Sequence, residues 1–175
     1  MKIAVLGAGA WGTAVAAHAA PRHEVLLWAR DAAQAEHIER ERRNTRYLGE
    51  VELPADLRAT PDLSQAMAHG RQGLVVVATP MSGLRECLQQ SRGCPSVIWL
   101  CKGFEANSGE LGHEIAQAIR PTLPYGVLSG PSFALEVVRS QPTALVLASA
   151  SQALQSLAVD AFHHGTLRVY PSFDL

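Results

Sequence analysis

The stretch KIAVLGAGAWGTAVA, residues 2–16, decides the fold. A short apolar run closes on Gly7. Gly7, Gly9 and Gly12 then stand in the order G-x-G-x-x-G ahead of an alanine-rich segment. The run reads as a buried strand, the alanine-rich segment as a helix, and the glycines as the link between them. Each glycine has a separate job there. Gly7 permits the tight turn, Gly9 lets the backbone approach a pyrophosphate, and Gly12 lets the helix pack closely on the strand. Free N–H groups at the helix start would face the phosphates. The spacing alone is weak, because the chain holds 14 glycines. Its place between a strand and a helix, with a second apolar run soon after, gives it weight. Trp11, at the helix start, is expected to touch the cofactor.

Working outward, short apolar runs alternate with amphipathic segments. After KIAVLG (2–7) come HEVLLWA (23–29), GLVVVAT (73–79), SVIWLCK (96–102), YGVLSG (125–130), TALVLAS (143–149) and TLRVY (166–170). Several are continuous in Val, Ile and Leu rather than alternating, as in strands covered on both faces. DAAQAEHIERERR opens on Asp31, a helix-capping residue. GELGHEIAQAIR sets Leu111, Ile115 and Ile119 on one helix face, and Pro121 stops it. The alternation implies an α/β fold: a doubly wound, mostly parallel Rossmann-type sheet with helices on both faces. No repeat or linker interrupts residues 1–175, so one domain is expected.

Composition excludes several classes. Hydrophobic residues make up 47% and charged residues 18%, with 15 basic against 16 acidic residues. No basic tract studded with aromatics appears, so no nucleic-acid partner is expected. The densest charged run, ERERRNTR (39–46), reads as the solvated end of a helix. Cys87, Cys94 and Cys101 lie in or beside apolar segments without a CxxC, so they read as packed thiols. Seven histidines, including His163 and His164, lack metal-site context, and no metal is assigned. The N-terminal apolar run is too short to span a membrane and lacks a signal-peptide layout, so a cytoplasmic protein without membrane insertion is expected.

The end of the second strand bears on cofactor choice. NAD sites usually place an acid there for the ribose hydroxyls. EVLLWARD instead places Arg30, with Asp31 opening the next helix. A guanidinium pairs with a 2′-phosphate and stacks on adenine. NADP(H) is therefore the expected cofactor, with NAD(H) left open. Thr79 and Pro80 fall at the carboxyl edge of the sheet, where open α/β sheets take ligands; lining a cofactor and merely ending a strand fit them equally. Lys102 leaves the next strand at that edge. In SGPSFALEVV (129–138), Ser129 or Gly130 can cap a helix, Pro131 suits its first position, and Ser132 adds a hydroxyl. A lysine, small donors and two helix N-termini suit a small phosphorylated substrate beside a dinucleotide.

GAGAWGTA, WARD, VVVATP, CKGFE, SGPSFALEV and PTALVLAS occur in the order and approximate spacing of the bacterial NAD(P)-dependent glycerol-3-phosphate dehydrogenases. The chain resembles that family from residue 2 to about 170, with KGFE and GPSFALEV its specific part. The resemblance implies interconversion of sn-glycerol 3-phosphate and dihydroxyacetone phosphate, feeding phospholipid synthesis. It places Trp11, Arg30, Lys102 and Ala134 on the dinucleotide, and Lys102, Gly130 and Ser132 on the glycerol phosphate. Many relatives carry serine where this chain has Ala10; backbone N–H groups can still hold phosphate, so a small effect is expected. The family's general base is a lysine in a second, all-helical domain, beyond residue 175 here, so no catalytic residue is assigned within the chain. The only lysines are Lys2, at the opposite edge, and Lys102. The resemblance thus implies an N-terminal nucleotide-binding domain whose partner is its own helical domain, with little or no turnover alone and a homodimer left open for the full enzyme. Two other readings stay open: a relative of the 6-phosphogluconate or ketopantoate reductases, and a non-catalytic NAD(P)-sensing module.

Overall fold

The opening stretch forms β1 (Lys2–Leu6) and α1 (Ala10–Ala19), with the first two motif glycines between them. The computed structural model describes residues 1–175. It continues through β2 (Glu24–Trp28), α2 (Ala32–Glu41), α3 (Thr45–Leu48), β3 (Arg58–Thr60), α4 (Leu63–Gly70) and β4 (Gly73–Val77). A 3-10 turn (Met81–Gly83) leads into α5 (Leu84–Gln90), β5 (Ser96–Trp99), α6 (Gly112–Ile119) and β6 (Tyr125–Ser129). The chain ends with α7 (Ala134–Val138), β7 (Thr143–Ala148), α8 (Gln152–Phe162) and β8 (Leu167–Ser172).

One eight-stranded sheet results, in the order β3-β2-β1-β4-β5-β6-β7-β8. The first six strands run parallel, β7 pairs antiparallel with β6, and β8 follows β7 in parallel. The chain winds outward from β1 to β3, then crosses to β4 on the other side of β1. The switch point therefore lies between β1 and β4, and the carboxyl ends of β1 to β6 share one edge.

Strand periodicity explains the continuous apolar runs. Ile3 and Val5 of β1 and Leu74 and Val76 of β4 enter a large core with α1, α2, α7 and α8. Ala4, Leu6, Val75 and Val77 point the other way, into a smaller core with α4, α5 and α6. The smaller core stops short of the last strands. In β7, Leu145 and Leu147 are buried while Val146 is 43% exposed, and in β8, Tyr170 is 55% exposed. TALVLA is continuous in sequence, yet Ala144 and Val146 on its second face are exposed, because the smaller core does not extend over that half of the sheet.

The capping expected at Asp31 is present: its carboxylate accepts the Ala33 N–H at 3.0 Å. Four expectations change. The short β3 carries too few apolar residues to stand out, and it pairs with β2. Leu111 precedes α6 and is exposed, so it does not share a buried face with Ile115. Pro131 is not the first residue of a helix, and neither Ser129 nor Gly130 caps one. Helix α7 begins at Ala134, after Phe133, whose N–H donates to the Glu136 carboxylate at 2.8 Å. With only five residues, α7 provides no second helix N-terminus for an anion. Lastly, ERERRNTR is not wholly solvated. Asn44 within it is 1% exposed, turned inward by the left-handed backbone of Arg42 (φ 53°) and the bridge between Arg43 and Glu52.

Candidate functional site

The switch point is built by backbone crowding. Gly7 has φ +117°, and a Cβ there would lie 2.8 Å from the Ala78 carbonyl oxygen. A Cβ on Gly12 would lie 1.9 Å from the Gly7 carbonyl oxygen and 2.9 Å from the Ala78 Cβ. Both glycines let α1, β1 and the end of β4 meet. Gly9 differs: a Cβ there would meet nothing within 4 Å. It sits on the open side of the loop, where a ligand's backbone contact would form. No side chain caps α1, and its first turn holds no acid. The N–H groups of Ala10, Trp11 and Gly12 thus lack an intrahelical acceptor. Trp11 is half-buried against the large core.

The loops after β2, β4, β5 and β6 reach the same edge. Arg30 follows β2, is exposed and enters no ion pair. Thr79 and Pro80 follow β4. The Thr79 side-chain oxygen is buried beside the Cys87 thiol without a well-formed hydrogen bond. Lys102 follows β5, is exposed, and its Nζ donates to the Gly130 carbonyl at 3.3 Å. Gly103 behind it has φ +94°, a backbone turn that favours glycine. Ser132 has a buried hydroxyl with no protein partner, and Ala134 is buried at the start of α7. Arg30 and Lys102 are two unpaired cations on an edge with an uncapped ten-residue helix N-terminus, which suits an anionic ligand.

Two clusters at this edge escaped the sequence reading. Arg85 on α5 donates through Nε and Nη2 to Glu105 at 2.8 and 2.7 Å, and also to Glu110. Ser108 donates to Glu105 at 2.6 Å. Arg85, then Ser108, hold the Glu105 carboxyl down to about 2. The cluster fastens the loop after Lys102 to the helix after Pro80. Only the acid of KGFE hinted at it. The second cluster joins Asn44 and Gln34 to the glycine loop: both donate to the Ala8 carbonyl, at 2.9 and 2.6 Å. Cys101 is half-buried, and burial pushes its thiol up to about 11, consistent with a packed thiol rather than a nucleophile.

A family model described as the N-terminus of NAD-dependent glycerol-3-phosphate dehydrogenase matches residues 2–155. A glycerol-3-phosphate dehydrogenase [NAD(P)+] of Methylibium petroleiphilum is 61% identical over 99% of this chain and 53% of its own length. One of Leptothrix cholodnii is 55% identical over 99% of this chain and 55% of its own. The crystal structure of glycerol-3-phosphate dehydrogenase from Coxiella burnetii superposes with a TM-score of 0.90 at 30% identity, over 99% of this chain and 54% of that one. The chain spans about half the length of the curated relatives it matches. With the match covering nearly all of its glycine-loop sheet, the chain belongs to the NAD-dependent glycerol-3-phosphate dehydrogenase family, in the part that forms the N-terminus.

Proposed function

We propose that this chain is the dinucleotide-binding domain of an NAD(P)-dependent oxidoreductase that interconverts sn-glycerol 3-phosphate and dihydroxyacetone phosphate. The observation that carries the reading is the uncapped N-terminus of α1 at the switch point, with open space at Gly9 and unpaired Arg30 and Lys102 on the same edge. When bound, the dinucleotide supplies the hydride acceptor or donor at its nicotinamide. The residues of this chain bind and orient. Gly7 and Gly12 shape the loop, and Gly9 and the first N–H groups of α1 hold the pyrophosphate. Arg30 pairs with the 2′-phosphate of NADP(H), and NAD(H) is accepted more weakly. Trp11, Thr79, Pro80 and Ala134 line the cofactor.

Lys102 offers positive charge to both cofactor and substrate, while Gly130 and Ser132 hold the glycerol phosphate. The Ser132 hydroxyl, buried without a partner, has an unused donor for a phosphate oxygen. The proton of the substrate hydroxyl is moved by a lysine of a further, helical domain beyond residue 175. The bare face of β7 and β8, with Val146 and Tyr170 exposed and Phe173 68% exposed beyond β8, supports a place for additional chain. The reaction in the cell supplies glycerol 3-phosphate for phospholipid synthesis.

Titration of the chain with NADPH and NADH, repeated on Arg30→Ala, tests the cofactor assignment. NADPH should bind more tightly, and Arg30→Ala should cost it at least tenfold while leaving NADH within about twofold. Unchanged NADPH affinity in Arg30→Ala refutes the 2′-phosphate contact. Reduction of dihydroxyacetone phosphate should be near background with this chain and rapid with a version extended to the relatives' length. Equal rates refute the location of the base.

A further inference from the structure

The glycine loop carries a directional constraint that its own residues do not impose. Between Ala8 and Gly9 lies a trans peptide, as are all peptides in the chain. In a trans peptide the carbonyl of one residue and the N–H of the next point in opposite directions. The Ala8 carbonyl points inward, where Asn44 Nδ2 donates to it at 2.9 Å and Gln34 Nε2 at 2.6 Å. The N–H of Gly9 must therefore point away from Asn44 and Gln34, and a Cβ on the same residue would meet nothing within 4 Å. No backbone or side-chain acceptor in the chain takes that N–H.

The holding groups are rigid. Asn44 Nδ2 also donates to Thr13 Oγ1 at 2.7 Å, and its Oδ1 accepts from Gln34 at 3.3 Å. Thr13 and Asn44 are 0% and 1% exposed. The Asn44 carbonyl also accepts the N–H groups of Tyr47 and Leu48, which ties its backbone to α3. An amide side chain arriving from between α2 and α3 thus locks one peptide of the loop between β1 and α1.

We propose that Asn44, assisted by Gln34, is a positioning residue for dinucleotide binding: it holds the Ala8–Gly9 peptide in the orientation that presents the Gly9 N–H to a phosphate oxygen. This rests on the dinucleotide reading above. With the carbonyl released, the peptide is free to rotate. The opposite orientation aims an oxygen at the phosphate and repels it.

Asn44→Ala removes the buried one of the two donors to the Ala8 carbonyl, and Asn44→Asp replaces it with an acceptor facing the Ala8 oxygen. Gln34→Ala, at a half-buried position, is the milder variant should Asn44 changes disturb α3. The probes are NADPH and adenosine 2′-phosphate, which lacks the pyrophosphate. Calorimetric titration should show NADPH bound about tenfold more weakly by Asn44→Ala, more weakly still by Asn44→Asp, and about threefold more weakly by Gln34→Ala. Adenosine 2′-phosphate should stay within twofold of the unmodified chain in all three. In 15N-labelled chain, the Gly9 amide resonance should move on NADPH addition and start from a shifted position in the Asn44 variants.

Unchanged NADPH affinity in folded variants overturns the proposal while leaving the cofactor reading standing. Parallel losses for both probes also overturn it, because they mark general damage rather than a turned peptide. If the unmodified chain binds no dinucleotide, the cofactor reading falls and the proposal falls with it.

Discussion

Replacing Gly9 and Gly12 separately by alanine should divide binding from folding. Gly9 has φ −76° and ψ −173°, which any residue adopts, and its Cβ would enter open space. Alanine as a helix N-cap is poorer than glycine by roughly 0.5–1 kcal/mol. Against that, the loss of glycine's freedom in the unfolded chain returns about 0.4–1 kcal/mol. The two nearly cancel, so the melting temperature should stay within about 3 °C, at roughly 2–4 °C per kcal/mol for a chain of this size. The new methyl would project where the pyrophosphate must come closest, and NADPH affinity should fall at least tenfold, about 1.4 kcal/mol. Gly12→Ala behaves differently. Its Cβ would sit 1.9 Å from the Gly7 carbonyl oxygen, a backbone atom that cannot swing aside. Overpacking of this kind costs about 1–3 kcal/mol, and the gain in helix propensity returns at most about 1 kcal/mol. Because the obstacle is backbone, the upper end of that range applies, leaving a net cost of about 2 kcal/mol and a fall of roughly 4–8 °C. Scanning fluorimetry and NADPH titration on the two variants read these effects. Wild-type NADPH affinity in Gly9→Ala would refute the assignment of the open side. A wild-type melting temperature in Gly12→Ala would refute the crowding.

Other outcomes are open to direct measurement. The His18 and His164 rings stack at 4.0 Å, and burial, then His18 and Arg22, push His164 down to about 4. Burial lowers His18 too. The unfolded chain takes up these protons as pH falls through about 6.5 and the folded chain only further down, so stability must fall between about pH 6.5 and 4. Urea midpoints from pH 7 to 4.5 should show that slope, and His164→Gln should flatten it; an unaltered slope sinks the assignment. Arg85→Gln should free residues 103–110, read as faster cleavage after Glu105 or Glu110 by a glutamate-specific protease in the native state. Since Glu105 is held at about 2 against an ordinary 4.5, its contribution is present above about 4.5 and is lost as pH falls toward 2. Unchanged protection would mean the loop is fastened otherwise. Burial pushes the Cys87 and Cys101 thiols up to about 11. At pH 8 a disulfide reagent should therefore label the native chain far more slowly than the urea-unfolded one, and equal rates would contradict the burial.

What could be read in the sequence is what a residue demands of its own turn. The glycine motif, the cap at Asp31 and the apolar runs of β1, β4 and β5 all express local rules, and each appears where expected. Demands met by residues arriving from elsewhere left no such trace. Asn44 lies between Arg43 and Thr45 in a charged run, and nothing there marks it as a donor to Ala8, 36 residues away. Arg120 looks like an ordinary charge beside Pro121, yet it is 1% exposed, and its guanidinium bonds the carbonyls of Ser91 and Cys94. The continuous run of β7 was misleading in the other direction. Residue type marks a strand fit to be covered on both faces, but the cover must come from other parts of the chain.

The same distinction decides how the substrate end is tested. Gly130 reads as a substrate contact, but a Cβ there would lie 2.8 Å from the Ala144 carbonyl oxygen and 2.9 Å from Leu145. The path of β7 requires glycine at that position whatever it binds. Gly130→Ala would damage β6 and β7 together, and a loss of substrate affinity in it would say nothing about contact. Ser132 is the informative position, because its buried oxygen has no protein partner to lose. Ser132→Ala should leave stability within about 0.5 kcal/mol, since no hydrogen bond is broken and no buried group is orphaned. In a version extended to the relatives' length it should raise the KM for dihydroxyacetone phosphate about tenfold and leave NADPH affinity unchanged. A KM that does not move would take Ser132 out of the substrate site. A matching loss for NADPH would place its hydroxyl on the cofactor instead.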